Sequence, residues 1–379
     1  MKHGLRFENM RLFDGTGWCD DALCVNEGLI VDYAKRGVDL NAFRIAPGII
    51  DLHGDGFERH VAPRRGVVKD LDQALYAVDA ELAANGITTA YLAQFWSWEG
   101  GQRAPDFAKA LAKSLRLARH NLRTDMRLQL RVETHLVDDY QAILDFVAAE
   151  DIQYVVLNDH LPHAALRAGK RPARLTGQAL KSHRAPEAHL ALMQALHAQG
   201  AEVAAALPDF VAALKQMGCH IGSHDDMSAK DRTDHREIGA EIAEFPMGDA
   251  AVIAARASKD PVIFGAPNVI RGGSHDGRLA VADYLQAGDV LVSDYHYPAQ
   301  KQAALIAARD LGFEAAWDMI AANPARVIGL QDRGHLAPGQ RADLCFLDTE
   351  DRVVGTMVAG KWSYLSGALA EKMIGAADV

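Results

Sequence analysis

Short apolar segments alternate with longer alanine-rich amphipathic segments from Pro47 to about Leu330, and this alternation restricts the fold more than any other feature. Short apolar runs are typical of buried strands, and the longer segments have the length of helices. The predicted strands are GIIDLHG, TTAYLAQ, RLQLRVETH, IQYVVLND, HIGSHD, EIAEFP, PVIFGAP and VLVSDYH. Between them, helices are predicted for DQALYAVDAELAANG, PDFAKALAKSLRLARHNL, PEAHLALMQALHAQG and PDFVAALKQMG. Such alternation indicates a parallel sheet covered by helices.

The number of strands favours a closed barrel over an open sheet. Eight strands over roughly 280 residues match a (β/α)8 TIM barrel. The alternative is a doubly wound sheet, whose first strand should be followed by GxGxxG. Gly54 and Gly56 supply the first two glycines, but Arg59 occupies the third position. The chain also has no Walker A motif,.

Both ends of the chain have a sequence pattern that differs from that of the middle. LRFENMRLFDG and ALCVNEGLIVDYAKRG near the start, and ADLCFLDTEDRVVGTMVAGKWSY near the end, combine short strands with turn residues,. We therefore predict an α/β protein in which residues 47–335 form a distorted barrel. Residues 1–46 and 336–379 are predicted to form one small β-sandwich.

Composition excludes several classes of protein. The 40 Lys and Arg residues against 50 Asp and Glu residues give a net charge of −10, which argues against a nucleic-acid-binding protein,. The four cysteines form no CxxC pair, as expected in a reducing compartment,. The charged N-terminus lacks the apolar core of a signal peptide, and no apolar run is long enough to span a membrane,. These features predict a cytoplasmic protein without membrane partners, and a homo-oligomer is compatible with them.

Residue types that bind metals recur where the predicted strands end. His53 and Asp55 follow the first strand, and their spacing places both on one side of it,. The other candidates are Glu133, His160, His224 and Asp294. Each has an ordinary structural explanation by itself, such as a helix cap, an ion pair or a core histidine. Together they favour a metal centre, because the carboxyl ends of barrel strands meet at the face where active sites lie.

The order of these residues resembles the amidohydrolase superfamily. That superfamily has HxH or HxD on strand one, a bridging residue on strand four, histidines on strands five and six, and aspartate on strand eight. APGIIDLHGD resembles its entry into the first strand, and NPARVIGLQDRGHLAPGQRADLCFLD resembles its exit from the barrel. The resemblance covers nearly the whole chain and implies a metal-dependent hydrolase.

Within that superfamily, several longer segments are similar to the PhnM family of the carbon–phosphorus lyase pathway. They are HGDGFERHVAPRRGV, SHDDMSAKD, GAEIAEFPMGDAA, GAPNVIRGGSHDGRLA and LVSDYHYPA. That family hydrolyses α-D-ribose 1-methylphosphonate 5-triphosphate to the 5-phosphate and pyrophosphate. YLAQFWSWEGGQRAPDF and NDHLPHAALRAGKRPARLTG depart from the family pattern, which leaves a related phosphorylated substrate open.

The resemblance implies a centre of one or two divalent ions. The expected ligand sets are His53, Asp55 and Asp294 for the first ion and His160 and His224 for the second, with Glu133 as the bridge. Mixed nitrogen and oxygen ligands suit zinc, manganese or iron, and zinc is the first expectation. Asp294 is the expected catalytic residue: it would take the proton of the attacking water and deliver it to the leaving group.

A triphosphate requires cations and main-chain N–H groups. The candidate binding residues are Arg59, Arg64, Arg65, Asn268, Arg271, Gly272, Gly273, Ser274 and His275. Arginine can grip phosphate oxygens with two parallel hydrogen bonds, and glycines allow the main chain to approach closely.

Two other functions stay open at this point. A hydrolase of C–N or amide bonds would share the fold and the metal but would not need arginines at the opening of the active site. Arg64, Arg65 and Arg271 therefore discriminate between this function and the hydrolysis of a triphosphate. A scaffold protein without catalysis would be expected to lose metal ligands, whereas all six positions are occupied here.

Overall fold

The computed structural model describes residues 4–62, 70–273 and 279–375. Its strands are β1 (Leu5–Glu8), β2 (Arg11–Phe13), β3 (Trp18–Cys19), β4 (Leu23–Asn26), β5 (Leu29–Val31), β6 (Arg36–Asp39), β7 (Arg44–Pro47), β8 (Ile49–Gly54), β9 (Ile87–Trp96), β10 (Asp125–Glu133), β11 (Tyr154–Asn158), β12 (His220–His224), β13 (Ile242–Glu244), β14 (Val262–Gly265), β15 (Val290–Val292), β16 (Leu344–Leu347), β17 (Val353–Val358) and β18 (Lys361–Leu365). Its α-helices are α1 (Glu58–Val61), α2 (Leu71–Ala84), α3 (Pro105–Ala118), α4 (Tyr140–Ala149), α5 (His163–Arg167), α6 (Leu175–Lys181), α7 (Pro186–Ala198), α8 (Gly200–Gln216), α9 (Ala229–Glu237), α10 (Asp249–Ala257), α11 (Ala266–Arg271), α12 (Ala299–Leu311), α13 (Phe313–Asp318), α14 (Ala322–Val327) and α15 (Gly367–Gly375).

Strands β8 to β15 form one eight-stranded sheet in which sequence neighbours are also spatial neighbours. Pairing is parallel from β8 to β9 and along the series from β10 to β14. A parallel bridge between Gly54 and Asp294 joins the first strand to the end of the last. The sheet therefore closes as a barrel, which confirms the predicted (β/α)8 fold. The doubly wound alternative is wrong, because an open sheet would leave these two strands as unpaired edges.

Most residues of the barrel strands are buried, as expected for parallel strands covered by helices,. Every residue of β8 and β9 is buried, including the polar side chains Asp51 and His53. On β10 the polar residues Gln129, Arg131 and Glu133 alternate with apolar ones and are likewise buried. Side chains that alternate in this way share one side of a strand. The apolar runs of the sequence thus carry polar groups inward at every second position.

One predicted helix begins at a different residue. Proline favours the first turn of a helix, so the sequence PDFVAALKQMG predicts a start at Pro208. The structure instead has α8 running from Gly200 to Gln216, with Pro208 inside it. Proline lacks an N–H group, so this position removes one hydrogen bond from the helix. Burial of Val203, Leu207 and other apolar residues on both sides of the proline stabilises the longer helix.

The terminal segments form two further sheets, in the orders β5-β4-β1-β6 and β18-β17-β16-β7-β2-β3. The second sheet joins the two ends of the chain, because β7 pairs antiparallel with β16. Their shared core includes Phe7, Ile45, Leu344 and Phe346. The domain boundaries at residues 46/47 and 335/336 stay a prediction.

The chain divides into two compact units. Unit 1 consists of Met1–Leu92, Leu117–Arg127 and Phe264–Val379, and unit 2 of Ala93–Arg116 and Leu128–Ile263. Each unit carries metal-ligand side chains of its own. Within the described residues, no helix has both the length and the apolar character needed to cross a membrane.

Candidate metal centre

The metal-ligand group of unit 1 consists of His53, Asp55 and Asp294. His53 lies on β8, Asp55 follows that strand directly, and Asp294 follows β15. One ligand atom from each of the three lies within 4.8 Å of the others. His53 is buried, and both aspartates are half-buried. An imidazole and two carboxylates converging at this distance fit a divalent ion with nitrogen and oxygen ligands.

The backbone holds this group together. The Asp294 N–H donates to the His53 carbonyl at 3.0 Å, and the Asp55 N–H donates to the Asp294 carbonyl at 2.9 Å. Asp294 adopts a left-handed conformation with φ of 56°. Such a conformation costs a non-glycine residue about 1–3 kcal/mol and is retained where the surrounding structure demands it. In this conformation a ligand atom of Asp294 lies within 4.8 Å of those of His53 and Asp55.

Asp51 supports the same group from inside the barrel. It is fully buried, and its carboxylate accepts hydrogen bonds from the Ser293 hydroxyl at 2.5 Å and the Ser293 N–H at 3.0 Å. Burial raises the pKa of Asp51, and the bonds from Ser293 oppose that rise. Asp51 therefore links β8 to the residue that precedes Asp294, a role that the sequence analysis did not identify.

Gly54, the last residue of β8, separates His53 from Asp55 and has no room for a side chain. A Cβ atom at this position would lie 2.6 Å from Asp51 Oδ2, 2.8 Å from Tyr297 Cε1 and 3.1 Å from Ser293 Oγ. Real Cβ atoms essentially never show contacts under 3.0 Å. The HGD spacing thus requires glycine for steric reasons.

The metal-ligand group of unit 2 is built around Glu133, at the end of β10. Its carboxylate contacts the Nδ1 atom of His160, and the ligand atoms of Glu99, Glu133 and His160 lie within 4.8 Å of one another. Glu133 also accepts hydrogen bonds from Trp98 Nε1 and from the His160 N–H, each at 3.1 Å. Trp98 and Glu99 were not predicted as site residues. They belong to the aromatic segment that departs from the family pattern, which was the available signal.

The charges of this pair are complementary. Burial alone would raise the pKa of Glu133, but the His160 ring beside it holds the pKa below its usual range. Burial alone would lower the pKa of His160, and the Glu133 carboxylate outweighs it and raises the pKa. A proton or another cation is therefore favoured between the Glu133 carboxylate and the His160 ring. Metal ions displace such protons when they bind, so the donor set fits a cation.

His224 lies near the pair, at the end of β12. Its ring centroid is 6.4 Å from that of His160, and its Nδ1 atom is 3.4 Å from Glu244 Oε1. Burial lowers the pKa of His224, which favours the neutral form that binds metals,. Glu244 also accepts hydrogen bonds from Gln129 at 2.6 Å and from Tyr154 at 3.0 Å. A carboxylate beside the far nitrogen of a histidine orients the ring toward a metal.

The strand numbers differ from the superfamily pattern given above. Counting β8 as the first barrel strand, Glu133 is the last residue of the third, His160 comes two residues after the fourth, and His224 is the last residue of the fifth. Each of these three residues therefore lies one strand earlier than that pattern expects. Asp294 follows the eighth strand, as expected.

The candidate phosphate-binding residues of unit 1 have different surroundings. Arg59 forms an ion pair with Glu81 and donates to the Tyr295 carbonyl at 3.0 Å. Arg271 is exposed and donates to Asn268 Oδ1 at 2.6 Å and to the Tyr295 hydroxyl at 3.2 Å. A Cβ atom on Gly265 would lie 3.5 Å from Asn268 Nδ2 and 3.4 Å from Asp294 Oδ2. The amide of Asn268 is therefore close to a candidate metal ligand.

Two of the predicted phosphate donors have another role. Arg271 was expected in a glycine-rich loop, but it is the last residue of α11. The Gly272 N–H donates to the Val269 carbonyl at 3.1 Å, and the Gly273 N–H donates to the Asn268 carbonyl at 2.9 Å. Both N–H groups therefore cap the helix in this structure, and a phosphate contact by either glycine stays a prediction. Four other predicted residues lie outside the described residues: Arg64, Arg65, Ser274 and His275.

Comparisons with known proteins extend over most of the chain. A family model described as "Amidohydrolase family" matches residues 67–364. The α-D-ribose 1-methylphosphonate 5-triphosphate diphosphatase of Escherichia coli (strain K12) is 30% identical over 324 residues, which cover 81% of this chain and 84% of that protein.

Solved structures show the same fold. An N-acetylglucosamine-6-phosphate deacetylase from Pasteurella multocida superimposes with a TM-score of 0.62 at 14% identity, covering 95% of this chain and 99% of that one. A molinate hydrolase superimposes with a TM-score of 0.63 at 11% identity, covering 95% of this chain and 94% of that one. Identities this low compare folds and carry no information about substrates.

Proposed function

Because this chain belongs to the amidohydrolase family, we propose that it is a metal-dependent diphosphatase that hydrolyses α-D-ribose 1-methylphosphonate 5-triphosphate to the 5-phosphate and pyrophosphate. The proposed substrate rests on the 30% identity, over 81% of the chain, to an α-D-ribose 1-methylphosphonate 5-triphosphate diphosphatase. The family shows that the chain is a hydrolytic enzyme, and the choice of bond and substrate is the proposal.

We assign the metal ligands by unit. In unit 1, His53, Asp55 and Asp294 would hold one divalent ion, since their ligand atoms already converge. In unit 2, His160 and His224 would hold an ion with Glu133, whose bridging role stays a prediction. Zinc is the proposed metal, because two imidazoles and a carboxylate form a common zinc ligand set. When bound, a divalent ion neutralises charge on the attacked phosphoryl group and lowers the pKa of the attacking water.

Asp294 is the proposed acid and base. Its Oδ atoms would accept the proton of the water that attacks phosphorus. As the bond to the pyrophosphate oxygen breaks, the same carboxyl group would return the proton to that oxygen. The backbone hydrogen bonds that join Asp294 to His53 and Asp55 hold its main chain beside the other two ligands.

Arg271 and Asn268 are the proposed phosphate contacts. Arg271 is exposed at the end of α11, and its guanidinium is hydrogen-bonded to Asn268 beside the unit 1 ligands. Arg59 is a weaker candidate, because its guanidinium forms an ion pair with Glu81. The roles of Arg64, Arg65, Ser274 and His275 stay predictions.

Product analysis tests the reaction. The purified chain, loaded with zinc or manganese, is incubated separately with ribose 1-methylphosphonate 5-triphosphate, ATP and N-acetylglucosamine 6-phosphate. We expect pyrophosphate from the first substrate and no acetate from the last. Acetate without pyrophosphate would overturn the proposal and favour C–N bond hydrolysis.

Substitution of Arg271 tests the phosphate contact. Loss of a charge-assisted contact costs about 1.5–3 kcal/mol, or roughly 10–150-fold in affinity. We expect the KM for the triphosphate to rise by that factor in Arg271→Ala, with an unchanged melting temperature. The matched control is Arg309→Ala, since Arg309 is an exposed arginine near the end of α12. Equal KM values for both variants and the wild type would contradict the assignment.

A further inference from the structure

A third group of metal-ligand side chains lies in unit 2, apart from the residues assigned above. It consists of His135, Asp159 and His163, whose ligand atoms lie within 4.8 Å of one another. We propose that these three residues form an additional binding site for a divalent transition-metal ion such as Zn²⁺. The site shares no ligand with the proposed catalytic centre and does not depend on the proposed substrate.

The barrel positions this group at the ends of two neighbouring strands. His135 comes two residues after β10, Asp159 directly follows β11, and His163 begins α5. Strands β10 and β11 pair in parallel, and the Thr134 N–H extends the pairing by donating to the Asn158 carbonyl at 2.9 Å. This extension brings His135 beside Asp159.

Neighbouring residues at these ends contribute to different groups. Glu133 contacts His160, whereas Asp159, one residue before His160, contacts His163. Asp159 Oδ2 lies 2.7 Å from His163 Nε2, and Asp159 Oδ1 lies 3.7 Å from His135 Nδ1. The ring centroids of His135 and His163 are 4.9 Å apart. The carboxylate thus lies between two imidazoles and presents one oxygen to each.

These distances are close to those around a bound ion. In a tetrahedral zinc site, ligand atoms about 2.0–2.2 Å from the metal are about 3.3–3.6 Å from each other. The observed separations of 2.7 and 3.7 Å lie on either side of that range. The ligand atoms of His135 and His163 lie within 4.8 Å of each other, so a rearrangement of these side chains would bring all three around one ion. Three protein ligands would leave a fourth position for water.

A fourth histidine stands where it can orient one of the ligands. His163 Nδ1 lies 2.7 Å from His197 Nδ1, so one of the two nitrogens must carry the proton. A histidine that binds a metal through Nε2 usually donates its Nδ1 proton to a neighbouring acceptor. His197 is in position to accept it. In that tautomer the lone pair of His163 Nε2 faces the Asp159 carboxylate, and a bound cation would lie between the two.

Burial and access also suit a site that exchanges ions with solvent. The His135 side chain is only 7% exposed, so it is held in place, whereas those of Asp159 and His163 are 38% and 29% exposed. An ion can therefore reach the open side of the group without unfolding the strand ends.

Metal counting tests the proposal. The full chain is stripped with a chelator, reloaded with Zn²⁺, dialysed and analysed for zinc per chain by mass spectrometry. We expect His135→Ala and His163→Ala each to bind one ion fewer per chain than the wild type. The matched control is His120→Ala, an exposed histidine outside the group, which should bind as many ions as the wild type. Circular dichroism verifies that each variant is folded.

Two further variants separate this site from the proposed catalytic centre and from a hydrogen-bonded cluster without metal. His163→Ala should remove one ion even in a chain that already carries His160→Ala, so the result does not depend on the proposed function. His197→Ala should weaken binding of one ion by roughly 10–100-fold while the stoichiometry at saturation is kept. If His163→Ala binds as much zinc as the wild type, in either background, the three residues form a hydrogen-bonded cluster only and the proposal is wrong.

Discussion

Replacement of Gly54 by alanine tests the steric account of the metal-ligand group in unit 1. The added Cβ would lie 2.6 Å from Asp51 Oδ2, 2.8 Å from Tyr297 Cε1 and 3.1 Å from Ser293 Oγ. Those three side chains are at most 1% exposed, so none of them can move into solvent. Adding one carbon to a tightly packed core costs about 1–3 kcal/mol. We expect the upper half of that range, because two of the contacts are under 3.0 Å.

Gly265 offers a matched control at the end of another barrel strand in unit 1. Its Cβ would lie 3.4, 3.5 and 3.7 Å from its nearest neighbours, which is ordinary van der Waals contact. Its φ of −71° is also open to alanine. Alanine at a compatible glycine position stabilises a protein by about 0.4–1 kcal/mol, since the unfolded chain loses freedom. Gly265→Ala should therefore be neutral or slightly stabilising.

Urea unfolding of both variants, followed by circular dichroism, measures the difference. We expect a free energy of unfolding at least about 2 kcal/mol lower for Gly54→Ala than for Gly265→Ala. Metal content should fall only in Gly54→Ala, because the displaced backbone carries His53 and Asp55. Equal stabilities of the two variants would refute the steric argument. Full metal content in a destabilised Gly54→Ala would refute its link to the ligands.

Three further results are expected. Glu244→Gln should keep the fold but weaken zinc binding in unit 2 by about 10–100-fold in a chelator competition, because a neutral amide orients His224 less strongly; unchanged affinity would exclude this role. Glu133→Gln should lower metal occupancy at an unchanged melting temperature, and full occupancy would exclude Glu133 as a ligand. Burial alone would raise the pKa of Asp125. The neighbouring arginines, which include Arg333, instead hold this pKa well below its usual range. Its contribution to stability is therefore present above about pH 4 and is lost as the pH falls further. Asp125→Asn should lower the free energy of unfolding at pH 7 by about 1.5–3 kcal/mol, because Arg333 loses its contact with Asp125 but keeps its hydrogen bonds to Asp332,. It should also make the urea midpoint less dependent on pH between about pH 2 and 5. A variant as stable as the wild type at pH 7 would contradict that assignment.

The barrel was predictable because its signals are local. Each strand is a short apolar run that can be recognised without knowing its neighbours, and a residue at the end of such a run must lie at the rim of a barrel. His53, Asp55 and Asp294 were found in this way, and the structure brings their ligand atoms together. The spacing of histidine and aspartate around Gly54 was informative for the same reason.

The residues that the sequence analysis missed act across the sheet. Glu244 lies on β13 and is recognisable as a partner of His224 only once the pairing of β12 with β13 places the two residues opposite each other. Trp98 approaches Glu133 from a segment 35 residues earlier in the chain. The helix-capping role of Gly272 was missed because a glycine that caps a helix has the same sequence signature as a glycine that approaches a phosphate. Such roles depend on register and on hydrogen-bond partners, which a single sequence does not display.

The closure of the barrel between its first strand, β8, and its last strand, β15, has a consequence for the synthesis of the protein. Asp51 and Ser293, which meet there, are 242 positions apart in the chain. A ribosome that adds about 5–20 residues per second needs roughly 12–50 s to cover that distance. During this interval His53 and Asp55 have left the ribosome without Asp294, so the nascent chain lacks the complete ligand group of unit 1. A metal ion therefore cannot bind to the complete ligand group before Asp294 has been synthesised. Metal binding at this group must follow the closure of the barrel.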